Sequence, residues 1–347
     1  MRVVQVSHKF PPHPGGIEYH VMKLSEYLSS QGIEVIVLTT TPNPCHKRLP
    51  FRVYRFKPLV EPLRNPLSFK LAIKFRELSK DAIAHLHSPY TFSTLLTYPL
   101  SEKAVITLHG RPYYKGIAGL FAKVHERVSL ILTRGAHFIA LTEIDASYLS
   151  NMGIPKERVH VIPNFVDVEE LKFLSEGVEF NPRYDLIYVG GLVEAKGIDQ
   201  LIIDVSKIGI SLAIVGDGPL RSKLEGLASR LGANVHFLGR LPREKVIPMY
   251  SSSRAVILPS RSEGFPTVVL EALALGKPTI LSDISVHRHL FGEVAVFYRP
   301  GDPSSLREAL SLIETFSPEK ASKFVSSKYD IRVVGPRLIS LYRSLDE

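Results

Sequence analysis

The opening forty residues constrain the fold of this chain more tightly than any other stretch. Residues 3–6 form a short apolar run, and a polar, proline-rich segment ending in Gly15-Gly16 follows it. From Tyr19 to Leu28 apolar residues recur at i, i+3 and i+4, the pattern of a helix packed on one side. Gly32 stops that pattern, and residues 35–38 make a second apolar run. A strand, a helix and a strand in this order form a right-handed crossover between parallel neighbours. This is the building unit of a doubly wound α/β sheet, whose ligands lie beyond the carboxyl ends of the strands.

The same grammar recurs along the chain. Apolar strand runs stand at 83–87, 104–108, 138–141 and 159–162, and then at 186–189, 212–215, 234–238, 255–258, 279–281 and 295–297. Residues 306–316 and 331–345 carry helical patterns. With 347 residues and 45% hydrophobic content the chain supports two cores. We read a first doubly wound, Rossmann-like domain over 1–167 and a second over 168–328. A final helix over 329–347 is expected to return to the first domain. The segment from 168 to about Pro182 is polar and weakly patterned, and is expected to be a linker.

Several classes lose support at this level. Cys45 is the only cysteine, so there is neither a disulfide framework nor a cysteine zinc site. No apolar run reaches the ~18 residues that a membrane span needs. Met1-Arg2 leads directly into a strand rather than a signal peptide, and the expectation is a cytoplasmic protein. Gly15-Gly16 is not the Gly-x-Gly-x-x-Gly fingerprint, so a nicotinamide enzyme lacks its main support. No Asp-x-Asp pair is present to hold a cation on a diphosphate; neither a metal nor another cofactor is expected.

Charge is unevenly placed. The chain carries a formal +9; residues 1–167 hold 21 basic and 12 acidic side chains, and residues 168–347 hold 22 of each. Between Glu34 and Glu61 lie Lys47, Arg48, Arg52, Arg55 and Lys57 with no acid among them, in a segment that prolines mark as a loop or edge strand. Arg64, Lys70, Lys74 and Arg76 follow, interleaved with Leu67, Phe69, Leu71, Ile73 and Phe75. Any one of these charges suits an ordinary solvated face. As a block they suggest a surface for an anionic lipid or an anionic acceptor, with peripheral contact at the inner face of a membrane, rather than for nucleic acid.

The chemistry concentrates at residues 259–278. After the strand run 255–258 come Pro259, Ser260, Arg261, Glu263, Gly264, Phe265, Pro266 and Thr267. A short helix is expected next, with Pro266 in its first turn and Gly276 and Pro278 ending it. Free amides around Gly264 and Phe265 then sit at a helix N-terminus, which favours an anion. Glu263 stands in the loop before the helix and Glu271 one turn inside it. Lys196, beyond the turn Gly190-Gly191, adds a compact positive charge of the kind a diphosphate needs. Gly216-Asp217-Gly218-Pro219 is another strand-tip turn, and His109-Gly110 lies at the tip of the 104–108 run. Taken singly, each is also compatible with an ordinary turn or a solvated surface.

Taken together they resemble one family. Pro-Ser-x-x-Glu-Gly-Phe-x5-Glu-Ala over 259–272 is similar to the donor-site signature of retaining glycosyltransferases of the GT-B fold, glycosyltransferase family 4. Gly-Gly-x-Glu at 15–18, His-Gly at 109–110, Pro-Asn-x-Val-Asp at 163–167, Lys-Gly at 196–197 and Gly-Asp-Gly-Pro at 216–219 follow in the family's order. The resemblance implies two Rossmann-like domains facing across a cleft, and transfer of a sugar from a UDP-, GDP- or ADP-sugar to a glycan or lipid-linked acceptor. It assigns Glu263 to the donor-sugar hydroxyls, Glu271 to the ribose, Lys196 and the amides near Gly15 and Gly16 to the phosphates, and His109 to the donor sugar. Gly190, Gly216, Arg240, Arg261, Gly264, Phe265, Pro266 and Thr267 complete the expected donor site, with the backbone at Arg240 near the base. Glu18 and the loop residues Arg111, Tyr113 and Lys115 are expected at the acceptor. Two departures stand out: Phe165 replaces a glycine of the crossover, and Gly191 stands where the family has a phosphate-binding arginine, a role that Arg261 or another cation would then take. Two other classes stay open, a sugar-nucleotide epimerase on the same scaffold and a weakly active nucleotide-sugar-binding protein.

Overall fold

Every apolar run expected to be a strand is one, and each joins a parallel sheet. A computed structural model describes residues 1–13, 15–44, 48–62, 65–110, 116–177 and 183–347. Among the described residues seven strands precede residue 165: β1 (Arg2–Ser7), β2 (Glu34–Thr39), β3 (Arg52–Arg55), β4 (Ile83–His87), β5 (Lys103–Leu108), β6 (His137–Ala140) and β7 (Val159–Val161). Six follow: β8 (Tyr184–Val189), β9 (Leu212–Val215), β10 (Val235–Gly239), β11 (Ser253–Leu258), β12 (Thr279–Ser282) and β13 (Val296–Tyr298).

The first sheet runs β3-β2-β1-β4-β5-β6-β7 and the second β10-β9-β8-β11-β12-β13. Both are parallel throughout, with Val3 opposite Val35 on one side and Ile83 on the other, and with Leu186 opposite Leu212 and Ala255. Helices cover the strands, so residues such as Val4, Val6, Ile36, Leu38, Leu86 and Ile106 are buried among one another. Such near-continuous apolar strands are what a parallel sheet covered on both faces requires. The fold is α/β with two Rossmann-like sheets.

The chain divides into two compact units, Met1–Phe165 with Ile331–Glu347, and Val166–Asp330. The helix Ile331–Asp346 belongs to the first unit: Tyr342 is fully buried there, with its hydroxyl 2.6 Å from His85 Nδ1. Phe165, the residue in place of a crossover glycine, is buried with its ring 4.6 Å from that of His20. The bulk at this turn is therefore used as packing.

One expectation fails after residue 167. Instead of a weakly patterned linker, Val168–Ser175 is a helix, with Val168 and Leu171 buried. Asp167 caps it by accepting from the Glu170 amide at 3.0 Å. A short helix with two inward residues leaves too brief a periodic signal to stand out in a polar sequence.

Candidate active site

In the second sheet the strand order reverses between β8 and β11. Open α/β sheets bind ligands at such a switch point, beyond the carboxyl ends of the two strands. The loops leaving β8 and β11 are 190–197 and 259–266, the two segments richest in expected donor residues.

These loops are stitched together by main chain. The Arg261 amide donates to the Ala195 carbonyl at 2.7 Å. Gly197 holds a left-handed φ of 66°, and a Cβ there would stand 2.3 Å from the Pro259 carbonyl oxygen; both conformation and space demand glycine. Lys196 then lies with Nζ 2.5 Å from Glu263 Oε1, an oxygen that also accepts from Ser260 Oγ at 2.5 Å. The Glu263 side chain is only 8% exposed. Its other oxygen, Oε2, has no partner among the described residues. A nearly buried carboxylate, neutralised on one oxygen and open on the other, can accept hydroxyl hydrogens without bringing net charge to the pair.

The neighbouring tips approach just as closely. A Cβ on Gly216 (φ 139°) would stand 1.9 Å from the Gly190 carbonyl oxygen. The Gly190 amide reaches the Val215 carbonyl at 3.0 Å, and the Gly216 amide the Gly239 carbonyl at 2.8 Å. Three strand tips thus present backbone only, with exposed Arg240 following the last. Gly191 has no atom within 4 Å of where a Cβ would stand. Arg261 does not reach toward this opening: its guanidinium pairs with Asp199 at 2.8 Å and donates to the Glu194 carbonyl at 2.8 Å.

The helix after β11 is Thr267–Ala274. Pro266 precedes it rather than entering its first turn, because its ψ of 102° keeps it extended and the chain turns helical only at Thr267. Phe265 is buried, its ring 5.5 Å from that of Tyr329 and 6.4 Å from that of Phe291. Its ring anchors the loop, which leaves only its main chain beside Gly264 at the helix mouth. Glu271 is buried as well; it pairs with Arg243, and Tyr250 donates to its Oε2 at 2.9 Å. Burial, reinforced by the Glu271 charge, raises the Tyr250 phenol well above its ordinary range and keeps it a donor. Sequence reading missed Arg243 and Tyr250, 28 and 21 residues from Glu271 with no motif linking them.

In the first unit, Gly16 opens the helix Gly16–Ser30 and Glu18 lies in its first turn. Glu18 is buried and lies 2.9 Å from His13 Nδ1. His109 leaves the tip of β5, and behind it is a feature the sequence reading did not assemble: His20, His85, His87 and His109 pack as a cluster. His87 and His109 stack at 5.2 Å between centroids, His20 meets His109 edge-on at 5.1 Å, and His85 lies 4.3 Å from His87. Burial drives His20 and His85 down to about 3 and holds His87 and His109 well below the usual imidazole range. All four are neutral at pH 7. The one available signal was the alternation His85-x-His87, which puts both rings on one face of β4. The expected acceptor residues Arg111, Tyr113 and Lys115 lie outside the described residues.

Comparison with known proteins agrees with this geometry. The model described as Glycosyltransferase Family 4 matches residues 14–170, and that described as Glycosyl transferases group 1 matches residues 172–330. The chain is 28% identical over 321 residues to D-rhamnosyltransferase WbpZ of Pseudomonas aeruginosa, covering 85% of this chain and 82% of that protein. Among solved structures it superposes on Anabaena HepE in complex with UDP-glucose, with a TM-score of 0.79 at 18% identity over 99% of this chain and 100% of that one. It also superposes on sucrose-phosphate synthase of Thermosynechococcus elongatus, with a TM-score of 0.78 at 20% identity over 99% of this chain and 98% of that one. The chain is therefore a glycosyltransferase of the GT-B fold, built from a glycosyltransferase family 4 domain followed by a glycosyl transferases group 1 domain.

Proposed function

We propose that the protein transfers a sugar from a nucleotide diphosphate sugar to a glycan or lipid-linked acceptor, with retention at the anomeric carbon. The observation that carries this reading is the Lys196–Glu263 pair at the switch point of the second sheet, 2.5 Å apart. Lys196 and the amides opening the helix Thr267–Ala274 would meet the diphosphate and stabilise the charge that develops on it as the glycosidic bond breaks. Glu263 Oε2 would take donor-sugar hydroxyls, Glu271 the ribose, and His109 the sugar. With cation and amides supplying that stabilisation, turnover needs no divalent metal. The departing phosphate itself would accept the acceptor proton on the same face of the sugar, which gives retention without a protein nucleophile. HepE, solved with UDP-glucose, is the precedent for the donor class.

A screen of UDP-, GDP- and ADP-sugars by thermal shift tests the donor; a ligand at ~100 times its Kd adds about 2.7 kcal/mol. Turnover with the selected donor in excess chelator, and the anomeric configuration of the product by NMR, then test metal independence and retention. Release of an epimeric nucleotide sugar without an acceptor would mark an isomerase instead.

For the acceptor side, one helix favours a membrane surface. Gly116–Thr133 turns an apolar face outward: beside Leu130 its buried residues include Glu126, Ser129 and Thr133, whereas Phe121, Leu120 and Leu132 are 69%, 65% and 60% exposed. Val124, Val128 and Ile131 continue this apolar arc, and exposed Lys123 and Arg127 edge it. An apolar face bordered by cations suits the headgroup layer of an anionic bilayer. The basic block read from the sequence contributes less than expected. Lys47 and Arg64 lie outside the described residues, Arg52 pairs with Glu34, Lys74 pairs with Glu77, and Arg55 donates to the carbonyls of Thr41 and Pro11. Exposed Phe69, Lys70, Ile73 and Arg76 on the helix Phe69–Leu78 remain available. No helix among the described residues is long and apolar enough to cross a membrane. Vesicle co-sedimentation should show binding that rises with anionic lipid and is lost in Leu120→Ser/Phe121→Ser; equal partitioning of that variant and the parent would refute membrane docking.

A further inference from the structure

The hydrogen atoms of the histidine cluster can be placed one by one. Ser25 Oγ donates to the Val21 carbonyl at 2.7 Å, and a carbonyl can only accept. Ser25 has no second hydrogen, so its oxygen accepts from Gln5 Nε2 at 2.7 Å. That orients the Gln5 amide and leaves Oε1 facing His87 Nε2 at 2.9 Å, so this nitrogen carries a hydrogen. His87 is fully buried and neutral, so its Nδ1 is a bare lone pair. The contact at 2.9 Å between His87 Nδ1 and His109 Nε2 is then a bond that His109 donates. His109 is neutral too, and its own Nδ1 is left as an acceptor with no partner among the described residues.

We propose that Gln5 and His87 are positioning residues that lock His109 as its Nε2–H tautomer, so that His109 Nδ1 accepts a hydrogen bond from a hydroxyl of the transferred sugar. The direction of the whole relay is set at its far end by one main-chain carbonyl. An imidazole fixed this way discriminates by chemistry: it takes a hydroxyl, fails to satisfy a deoxygenated carbon, and repels a carboxylate. The same locking excludes His109 as a proton donor to the leaving phosphate. The inference rests on the reading that His109 meets the donor sugar.

Two measurements separate the relay from that reading. Long-range ¹⁵N–¹H NMR of the ligand-free protein, assigned with His87→Gln and His109→Gln, should show both rings neutral with hydrogen on Nε2 at neutral pH. In Gln5→Met, which keeps the volume and removes the amide, the two rings should lose this single tautomer, and Gln5→Glu, which keeps an acceptor toward His87, should restore it. A protonated Nδ1 on His109 in the parent protein overturns the proposal. The second arm compares kcat/KM for the donor chosen by the thermal screen with each of its singly deoxygenated forms. One form should lose about tenfold in the parent and in Gln5→Glu, with most of that preference gone in Gln5→Met. The expected tautomers combined with no preference at any hydroxyl would overturn the sugar contact and leave the relay as architecture.

Discussion

Lys196 Nζ and Glu263 Oε1 lie 2.5 Å apart although 67 residues separate them in sequence. Each belongs to a loop that leaves one of the two strands flanking the switch point, so the pair forms only when the second sheet is assembled. Replacing either residue by alanine should lower kcat/KM at least ~100-fold, the scale of one preorganised stabilising group. The double variant should be far less impaired than the product of the two singles. Full additivity in that double-mutant cycle would mean that the two act independently.

The opening at Gly191 can be tested by filling it. Nothing stands within 4 Å of a Cβ there, and no strained φ is required. Gly191→Arg should fold with unchanged stability and lower the donor KM severalfold, since it adds a charge-assisted partner for phosphate. A raised KM would show that the second sheet seats its phosphate elsewhere. Gly197→Ala is the contrasting control: the Pro259 carbonyl and the left-handed φ of 66° should cost it more than about 1 kcal/mol of stability.

Glu271 has a structural share as well as its proposed ribose contact. Removing the carboxylate in Glu271→Ala takes from the half-buried Arg243 its nearer acid and leaves it Glu170 at 3.7 Å, a loss of about 3 kcal/mol, the lower end for breaking a buried pair. Tyr250→Phe should cost less, ~1–3 kcal/mol, because it leaves one acceptor oxygen short of a donor. Chemical denaturation gives both values. Donor KM should rise in Glu271→Ala when measured well below its melting temperature, and a KM equal to the parent's would confine Glu271 to architecture.

Acid should unfold the first unit through its histidines. His20 and His85 have folded-state values of about 3 against 6.5 in an unfolded chain. Both are neutral in either state above pH 6.5, so they have no effect there. Below it the unfolded chain binds protons that the native state refuses, and each residue removes roughly 1.4 kcal/mol per pH unit until its folded value is reached. His87 and His109 act in the same direction. The melting temperature should fall steeply between pH 6.5 and 4, and less steeply in His20→Phe. A flat profile would show that the cluster is hydrated and protonates in place.

The two sheets were legible because a parallel strand covered on both faces must be apolar along its length, and residues 3–6, 35–38 and 255–258 announce this directly. Turns read well for a similar reason: where Gly216 meets the Gly190 carbonyl, no other residue fits. What stayed hidden depended on pairing at a distance. Nothing in the sequence tied Glu271 to Arg243 and Tyr250, or joined Gln5 and His87 behind His109. The helix Gly116–Thr133 hid itself differently. Its apolar residues look like a core face, and only the fold shows that Glu126, Ser129 and Thr133 face inward while Phe121 and Leu132 face solvent. The block of basic residues misled in the opposite sense, since Arg52, Arg55 and Lys74 are engaged within the first unit.

The hydroxyl of Tyr342, 2.6 Å from His85 Nδ1 inside the first unit, bears on how this chain comes off the ribosome. That unit is discontinuous: its last helix, Ile331–Asp346, is synthesised only after all of Val166–Asp330. The nascent Met1–Phe165 segment therefore holds His85 through Thr107 alone, at 2.7 Å, and lacks its Tyr342 partner while the second unit, whose sequence is contiguous, can already close. The unit translated first is the one completed last. In the interval only the surface that Val334, Leu338 and Tyr342 later cover stays open, because the core around Val4, Ile36, Leu86 and Ile106 draws on residues already made.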